Sequence, residues 1–132
     1  MIGIVLISHG GLAAGLRDAA EMITGEIDQL ECISLQPMDD IDQLVDRIQE
    51  AVKKVDVGEG ALLLVDLFGA SPFNACGRLA LAQQDRYELV TGMNLPMLVE
   101  LVVQREGLTI KEASQIAFEA GKSGVSRLSD KI

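Results

Sequence analysis

The sequence has no tryptophan, and aromatic residues make up only 3% of its 132 residues. Proteins that bind single-stranded nucleic acid stack bases on aromatic side chains, so the low aromatic content disfavours that class. Basic residues are also few, with 11 lysines and arginines against 20 aspartates and glutamates and a net charge of −9. This balance disfavours binding to a phosphate backbone, which lysine and arginine neutralise. The sequence therefore predicts no nucleic-acid partner.

Cysteine and histidine are equally scarce. The two cysteines, Cys32 and Cys76, lie far apart in apolar runs and form no C-x-x-C motif. They are expected to be small core residues without a disulfide. With a single histidine, we expect no metal site, and nothing in the sequence calls for a cofactor.

Long hydrophobic runs are absent as well. No apolar run is long enough to span a bilayer. The first residues, "MIGIVLIS", lack the basic region and the cleavage site of a signal peptide. These features predict a cytoplasmic location.

Aliphatic residues are abundant, and 48% of the chain is hydrophobic, which is enough for a real core. The length fits a single domain over residues 1–132. Four aliphatic runs predict strands at residues 2–8, 30–35, 61–67 and 87–91. The first and third runs are apolar almost throughout, as in strands buried on both faces of a parallel sheet.

Helical patterns alternate with these strands. Residues 12–24 have apolar side chains at helical spacing and end at Gly25, and a second helix carries an apolar stripe from Ile41 to Val52. Further helices are expected after Ser71, near Asn94 and after Thr109. The predicted N-terminal caps are Asp40 in a box with Gln43, Ser71 followed by Pro72, and Thr109 with Glu112.

This alternation predicts an α/β fold. We expect a flavodoxin-like, mainly parallel open sheet of strand order 2-1-3-4 with helices on both faces. The segment "VSRL" (125–128) is predicted as a possible short extra strand.

The predicted topology brings His9 and Asp66 together. His9 ends the first strand and Asp66 follows the third, and these strands are neighbours in the order 2-1-3-4. The helices that follow two such neighbouring strands lie on opposite faces of the sheet. This leaves a crevice at the carboxyl ends of the strands, and ligands bind there. An imidazole whose one nitrogen is held by a carboxylate presents the other nitrogen as a nucleophile.

The residues around this pair suit a phosphoryl group. Gly10 and Gly11 leave room beside the imidazole. Gly69 lies just before the predicted helix that follows the third strand, and Ser71 begins that helix. Helix N-termini favour anions, so these four residues are predicted to bind phosphate. A purely structural His9, with Asp66 capping its loop, is the competing interpretation.

Three segments carry a resemblance to a known family: "IGIVLISHGGLAAGL", "LLLVDLFGASPFNA" and "TGMNLPMLVE". In this order, they make the chain similar to the IIA component of the mannose family of the bacterial phosphoenolpyruvate-dependent sugar phosphotransferase system. The resemblance implies that His9 is phosphorylated, that Asp66 orients it, and that Ser71 contacts the phosphoryl group. It also implies a partner-docking rim formed by Phe68, Met93 and Asn94.

The resemblance further implies partners. The phosphate donor would be the histidine phosphocarrier protein HPr, and the acceptor a IIB domain that phosphorylates sugar entering through membrane IIC and IID subunits. It implies a homodimer with an exchanged C-terminal strand.

Several alternatives remain open at this point. They are a phosphotransfer subunit of dihydroxyacetone kinase, a regulatory phosphohistidine module, a histidine-dependent phosphohydrolase and a non-catalytic binding module. The phosphohydrolase is disfavoured because it needs an arginine beside the histidine, where this chain has Ser8.

Overall fold

Four parallel strands form the centre of the structure, a computed structural model that describes residues 1–132. The strands are β1 (Gly3–His9), β2 (Leu30–Leu35), β3 (Ala61–Val65) and β4 (Tyr87–Thr91). They lie in the order β2-β1-β3-β4, and every neighbouring pair is parallel. The predicted order is confirmed. The strand bounds differ from the predicted ones in two places. β1 runs one residue later, over Gly3–His9, and β3 ends at Val65, where the chain leaves the sheet and the Asp66 side chain turns towards β1.

Five α-helices connect and cover the strands. They are α1 (Leu12–Thr24), α2 (Ile41–Val55), α3 (Ser71–Ala82), α4 (Leu95–Gln104) and α5 (Ile110–Ser123). One buried cluster lies between the sheet and α1, α4 and α5, and a second lies between the sheet and α2 and α3. Helices therefore cover both faces, as predicted, and α1 and α3 start on opposite sides of the sheet. None of the helices is long and apolar enough to cross a membrane.

The helix caps explain where most of these helices begin. Asp40 accepts a hydrogen bond from the Asp42 N–H at the start of α2, although Gln43 does not complete the predicted box. Thr109 and Glu112 form the predicted capping box of α5. Each of these caps satisfies N–H groups that have no partner within the helix.

The prediction that Ser71 caps α3 is wrong. The cap position is Ala70, which has an extended backbone, and Ser71 is already the first helical residue. Pro72 follows within the first turn, where its fixed φ is favourable. The Ser71 hydroxyl therefore makes no capping hydrogen bond and is exposed to solvent.

The prediction of a strand at residues 125–128 is also wrong for the single chain. Residues 125–127 form no regular element, and Leu128–Asp130 is a short 3-10 helix. The side chains in this tail are exposed, because no strand of the same chain lies beside it to supply hydrogen bonds.

Two polar residues, Ser8 and Arg105, are buried among the apolar side chains. The Arg105 guanidinium donates to the carbonyl oxygens of Ile2, Asp28 and Gln29, and so joins the amino ends of β1 and β2. Ser8 lies at the opposite, carboxyl end of β1. The carboxyl ends are where the predicted site residues lie.

Candidate functional site

The site is built on the pairing of β1 with β3. The register pairs Ile7 with Val65, so His9 and Asp66 emerge side by side at the carboxyl ends of the two strands. Asp66 Oδ2 lies 2.8 Å from His9 Nδ1 and 2.9 Å from the His9 backbone nitrogen. One carboxylate oxygen therefore holds both the backbone and the ring of His9. The structure brings these two predicted residues together.

This contact determines which ring nitrogen is free. An ionised carboxylate only accepts hydrogen bonds, so the hydrogen bond assigns the proton of the neutral ring to Nδ1. Nε2 then has an unshared lone pair, and no hydrogen bond joins it to the protein. The His9 side chain is 50% exposed, which leaves Nε2 accessible to another molecule.

The Asp66 carboxyl is kept ionised by the same contacts. Its side chain is only 11% exposed, and this burial alone would raise its pKa. The hydrogen bonds from the backbone and ring of His9 outweigh burial and leave the pKa of Asp66 below its ordinary value. The other oxygen, Oδ1, is buried and has no hydrogen-bond partner within the protein. The side-chain partner of Asp66 is thus His9 alone.

Gly10 and Gly11 form the turn between β1 and α1. Gly10 has a φ of +53°, in the left-handed region that favours glycine, and its N–H donates to the Leu35 carbonyl at 2.8 Å. A Cβ added at either glycine would meet nothing within 4 Å, and the same holds for Gly69 in the loop after β3. The rest of the chain therefore does not cover the turns beside His9 and Asp66 at these glycines.

Ser8 is a residue of the site whose role the sequence analysis missed. Its Oγ is fully buried and accepts a hydrogen bond from the Ala13 N–H at 2.8 Å. Gly11 is the cap residue of α1 and has no side chain to supply that bond. A glycine at a predicted cap position, with a serine just upstream, is the signal that could have identified it.

The remaining predicted site residues have different surroundings. Ser71 is exposed at the start of α3, and no hydrogen bond joins it to His9 or Asp66. Phe68 is exposed and packs its ring against Phe73, with 4.5 Å between ring centroids. Ser71 and Phe68 are therefore both accessible to other molecules, Phe68 in the loop after Asp66 and Ser71 at the start of α3.

Met93 and Asn94, two residues of the predicted docking rim, differ in exposure, since Met93 is buried and Asn94 is half-buried. Met93 is buried in the core beneath α4, so the prediction that it faces partners is wrong. The Asn94 side chain caps α4 through the Met97 N–H and donates to the Gly121 carbonyl at 3.2 Å. Its polar atoms thus join α4 to α5. In contrast, Leu67 and Phe68 expose large apolar side chains directly after Asp66.

Neither the two cysteines nor a cluster of metal-binding side chains offers a second reactive centre. No group of three or more histidine, cysteine or acidic side chains is placed to hold a metal ion. Burial raises the pKa of the Cys76 thiol to about 12, and burial also raises the pKa of Cys32. Neither cysteine is therefore a thiolate at neutral pH.

Together these features define a class of protein. It is a parallel α/β protein with an exposed imidazole, oriented by a carboxylate, at the carboxyl ends of two neighbouring strands whose following helices lie on opposite faces of the sheet. Residues 3–118 match the family model EIIA-man, described as the PTS system fructose IIA component. The chain belongs to this family, whose members are phosphotransferase components.

Relatives of known identity agree with this assignment. The chain is 36% identical over 131 residues to the mannose-specific EIIAB component of Escherichia coli K12, covering 98% of the chain but 40% of that protein. It is 31% identical over 112 residues to the fructose-specific EIIA component of Bacillus subtilis, covering 85% of the chain and 76% of that protein. The crystal structure of EIIA from Streptococcus agalactiae shares the fold, with a TM-score of 0.89, 24% identity and coverage of 98% and 99%.

The carboxyl group of Asp66 gives a pH test of this geometry. We expect its titration midpoint, followed by carboxyl carbon NMR, to lie below the ordinary 3.8 in the wild-type chain. In His9→Ala the ring hydrogen bond is lost while the backbone N–H remains, so the midpoint should rise. A lowered folded-state pKa means that the stabilisation is present above pH 3.8 and is lost as the pH falls through that midpoint. An unchanged midpoint in His9→Ala would contradict the ring contact.

Proposed function

We propose that this chain is a phosphoryl carrier that accepts phosphate from phospho-HPr on His9 Nε2 and passes it to a IIB domain. One observation carries the proposal: Asp66 Oδ2 lies 2.8 Å from Nδ1, while Nε2 has no partner and the ring is half exposed. Membership of the EIIA-man family supports the same activity.

The transfer step follows from this arrangement. The Nε2 lone pair attacks the phosphorus atom of the donor's phosphohistidine, and the phosphorus–nitrogen bond to the donor breaks. The bonding electrons return to the donor imidazole, which takes up a proton from water. The phosphorylated His9 ring becomes cationic, and its Nδ1–H remains hydrogen-bonded to the ionised Asp66 carboxylate. Transfer to the IIB domain reverses these roles, with a nucleophile of IIB attacking the same phosphorus.

Gly10, Gly11, Gly69 and Ser71 are the proposed contacts of the phosphoryl group. The open space beside the glycines allows a tetrahedral anion to approach the backbone. The N-terminus of α1 follows Gly11 directly, and that of α3 begins at Ser71, so two helix ends with unpaired N–H groups adjoin the loops of the site. The Ser71 hydroxyl makes no hydrogen bond within the protein, so its O–H can be donated to a phosphoryl oxygen.

The proposed partner-docking surface consists of the apolar side chains beside the site. Leu12 begins α1, and Leu67 and Phe68 follow Asp66; all three are exposed. Exposed apolar groups beside a reacting atom fit a partner protein that docks and releases with each turnover. Leu12 and Leu67 take the place of the buried Met93 in this surface, and the half-buried Asn94 remains a proposed member of it.

The wider role that we propose is sugar uptake, with sugar selected by other components. Relatives bear names that specify mannose, fructose and sorbose. The chain spans 40% of the length of the mannose-specific EIIAB proteins that it matches. A carrier that hands on phosphate needs no sugar pocket of its own, so the same site serves any of these sugars.

Replacing His9 tests the proposed carrier role. We expect His9→Ala to accept no phosphate from phosphoenolpyruvate, Enzyme I and HPr, because the chain has no other histidine. Intact mass spectrometry checks this, and the wild-type adduct should be labile in acid and stable in base, as a phosphoramidate is. The control is Arg78→Ala, a change on the exposed face of α3, which should still take up one phosphate. A phosphate retained on His9→Ala would refute the assignment.

We also propose that the chain forms a homodimer through its C-terminal tail. β4 is an edge strand, and edge strands with unpaired backbone groups tend to pair with other chains. A cavity of about 350 Å³ beside β4 is lined by Phe73, Leu89, Phe118 and neighbouring residues. The tail after Gly124 exposes apolar side chains that would be covered in the cavity of a second copy.

Removing the tail tests the dimer. We expect truncation after Gly124, which leaves α5 intact, to convert a dimer into a monomer at micromolar concentration in sedimentation velocity. A matched variant with the full tail and Ser126→Ala should remain a dimer. A full-length chain that sediments as a monomer would contradict the proposal, and so would a truncated chain that stays dimeric.

A further inference from the structure

Hydrogen bonds hold the turn that carries His9. The added Cβ atoms of Gly10 and Gly11 would touch nothing within 4 Å, so no side chain presses on this turn. Three bonds from consecutive residues hold it instead. The Ser8 hydroxyl accepts from Ala13, the His9 N–H donates to Asp66, and the Gly10 N–H donates to Leu35.

Of these three bonds, only the one to Ser8 connects the turn to the start of α1. It spans five residues of sequence at 2.8 Å and satisfies the N–H of the second helical residue, which normally bonds to the cap residue's own side chain. Ser8 and Ala13 are both fully buried, so water cannot replace a lost hydroxyl. The Ser8 hydroxyl therefore joins the end of β1 directly to the first turn of α1, in addition to the bond that the Gly11 carbonyl accepts from the Gly15 N–H.

Ser8 does not touch the reacting ring. Side chains alternate between the faces of a strand, and in β1 Leu6 packs on the α1 side while Ile7 packs on the α2 and α3 side. Ser8 therefore points towards α1 and the His9 side chain towards the opposite face. Any influence of Ser8 on the imidazole must pass through the backbone of the turn.

We propose that Ser8 is a positioning residue for phosphoryl transfer at His9: its hydrogen bond from Ala13 fixes the turn that orients the imidazole. This role rests on the proposed carrier function. It also accounts for the two glycines, because a cap supplied from β1 leaves no side chain over the open space where the phosphoryl group would lie. A conventional cap at residue 11 would project its polar group into that space.

The test compares Ser8→Ala with Ser8→Thr, which keeps the hydroxyl, and with Ser34→Ala. Ser34 is the register partner of Ser8 in β2 and makes no side-chain hydrogen bond. Rapid-quench transfer from phospho-HPr is measured on folded protein at several HPr concentrations. We expect Ser8→Ala to lower the limiting rate about tenfold, or about 1.4 kcal/mol, with an unchanged half-saturating HPr concentration. Ser8→Thr and Ser34→Ala should stay within about twofold of wild type, or about 0.4 kcal/mol.

A spectroscopic measurement separates positioning from loss of stability. In Ser8→Ala, the Ala13 amide should exchange with solvent faster while amides of the later turns of α1 keep their protection. If Ser8→Ala does not fold, Ser8→Cys replaces it, because a thiol has a similar shape and is a weaker acceptor.

Three outcomes overturn the assignment, and only the third also overturns the proposed function. A folded Ser8→Ala with a limiting rate within about twofold of wild type, or about 0.4 kcal/mol, overturns the role of Ser8 alone. An equal loss in Ser34→Ala or Ser8→Thr does the same, since it would show general strain in the sheet. A wild-type chain that accepts no phosphate overturns the proposed function, and the role of Ser8 in transfer with it.

Discussion

A single carboxylate oxygen, Asp66 Oδ2, organises the candidate site. It accepts hydrogen bonds from both the backbone and the ring of His9, at 2.9 and 2.8 Å. The hydrogen bond from the His9 backbone holds the end of β1 beside Asp66. The hydrogen bond from Nδ1 of the His9 ring leaves Nε2 as the free ring nitrogen. A neutral side chain at residue 66 would not hold both donors with the same charge complementarity. The chemistry of the site therefore depends on an oxygen that itself takes no part in bond formation.

The rest of the fold makes this contact possible. Parallel pairing of β1 with β3 aligns the two strand ends, and helices on opposite faces leave the carboxyl edge of the sheet open. The turns at that edge are built from glycine and are tied down by main-chain and serine hydrogen bonds. Exposed Leu67 and Phe68 adjoin the site without closing it. This arrangement suits the proposed carrier role, in which two partner proteins would reach His9 in turn.

Much of this could be predicted from the sequence because the decisive signals are local. Apolar runs identified the strands, and alternation of strands and helices led to the order 2-1-3-4, which placed His9 beside Asp66. The predictions failed where tertiary contacts decide. The cap position of α3 is Ala70, which has an extended backbone, and not Ser71. Met93 is buried in the core beneath α4. The bond from Ala13 to Ser8 bridges five residues, a spacing that no standard capping pattern contains.

The tail after α5 illustrates a different reason for failure. A strand needs a neighbour to accept its hydrogen bonds, and within one chain the segment 125–128 has none. Its apolar side chains are exposed as a result. The apolar pattern of the segment was therefore not enough to predict a strand within a single chain.

The most direct test of the central claim is to identify the nitrogen that carries the phosphate. Phosphorylated protein labelled with ¹⁵N in His9 would be studied by NMR, using one-bond coupling between phosphorus and nitrogen. The account predicts coupling to Nε2, with a proton retained on Nδ1 and hydrogen-bonded to Asp66. Phosphate on Nδ1, or on any residue other than His9, would contradict the account.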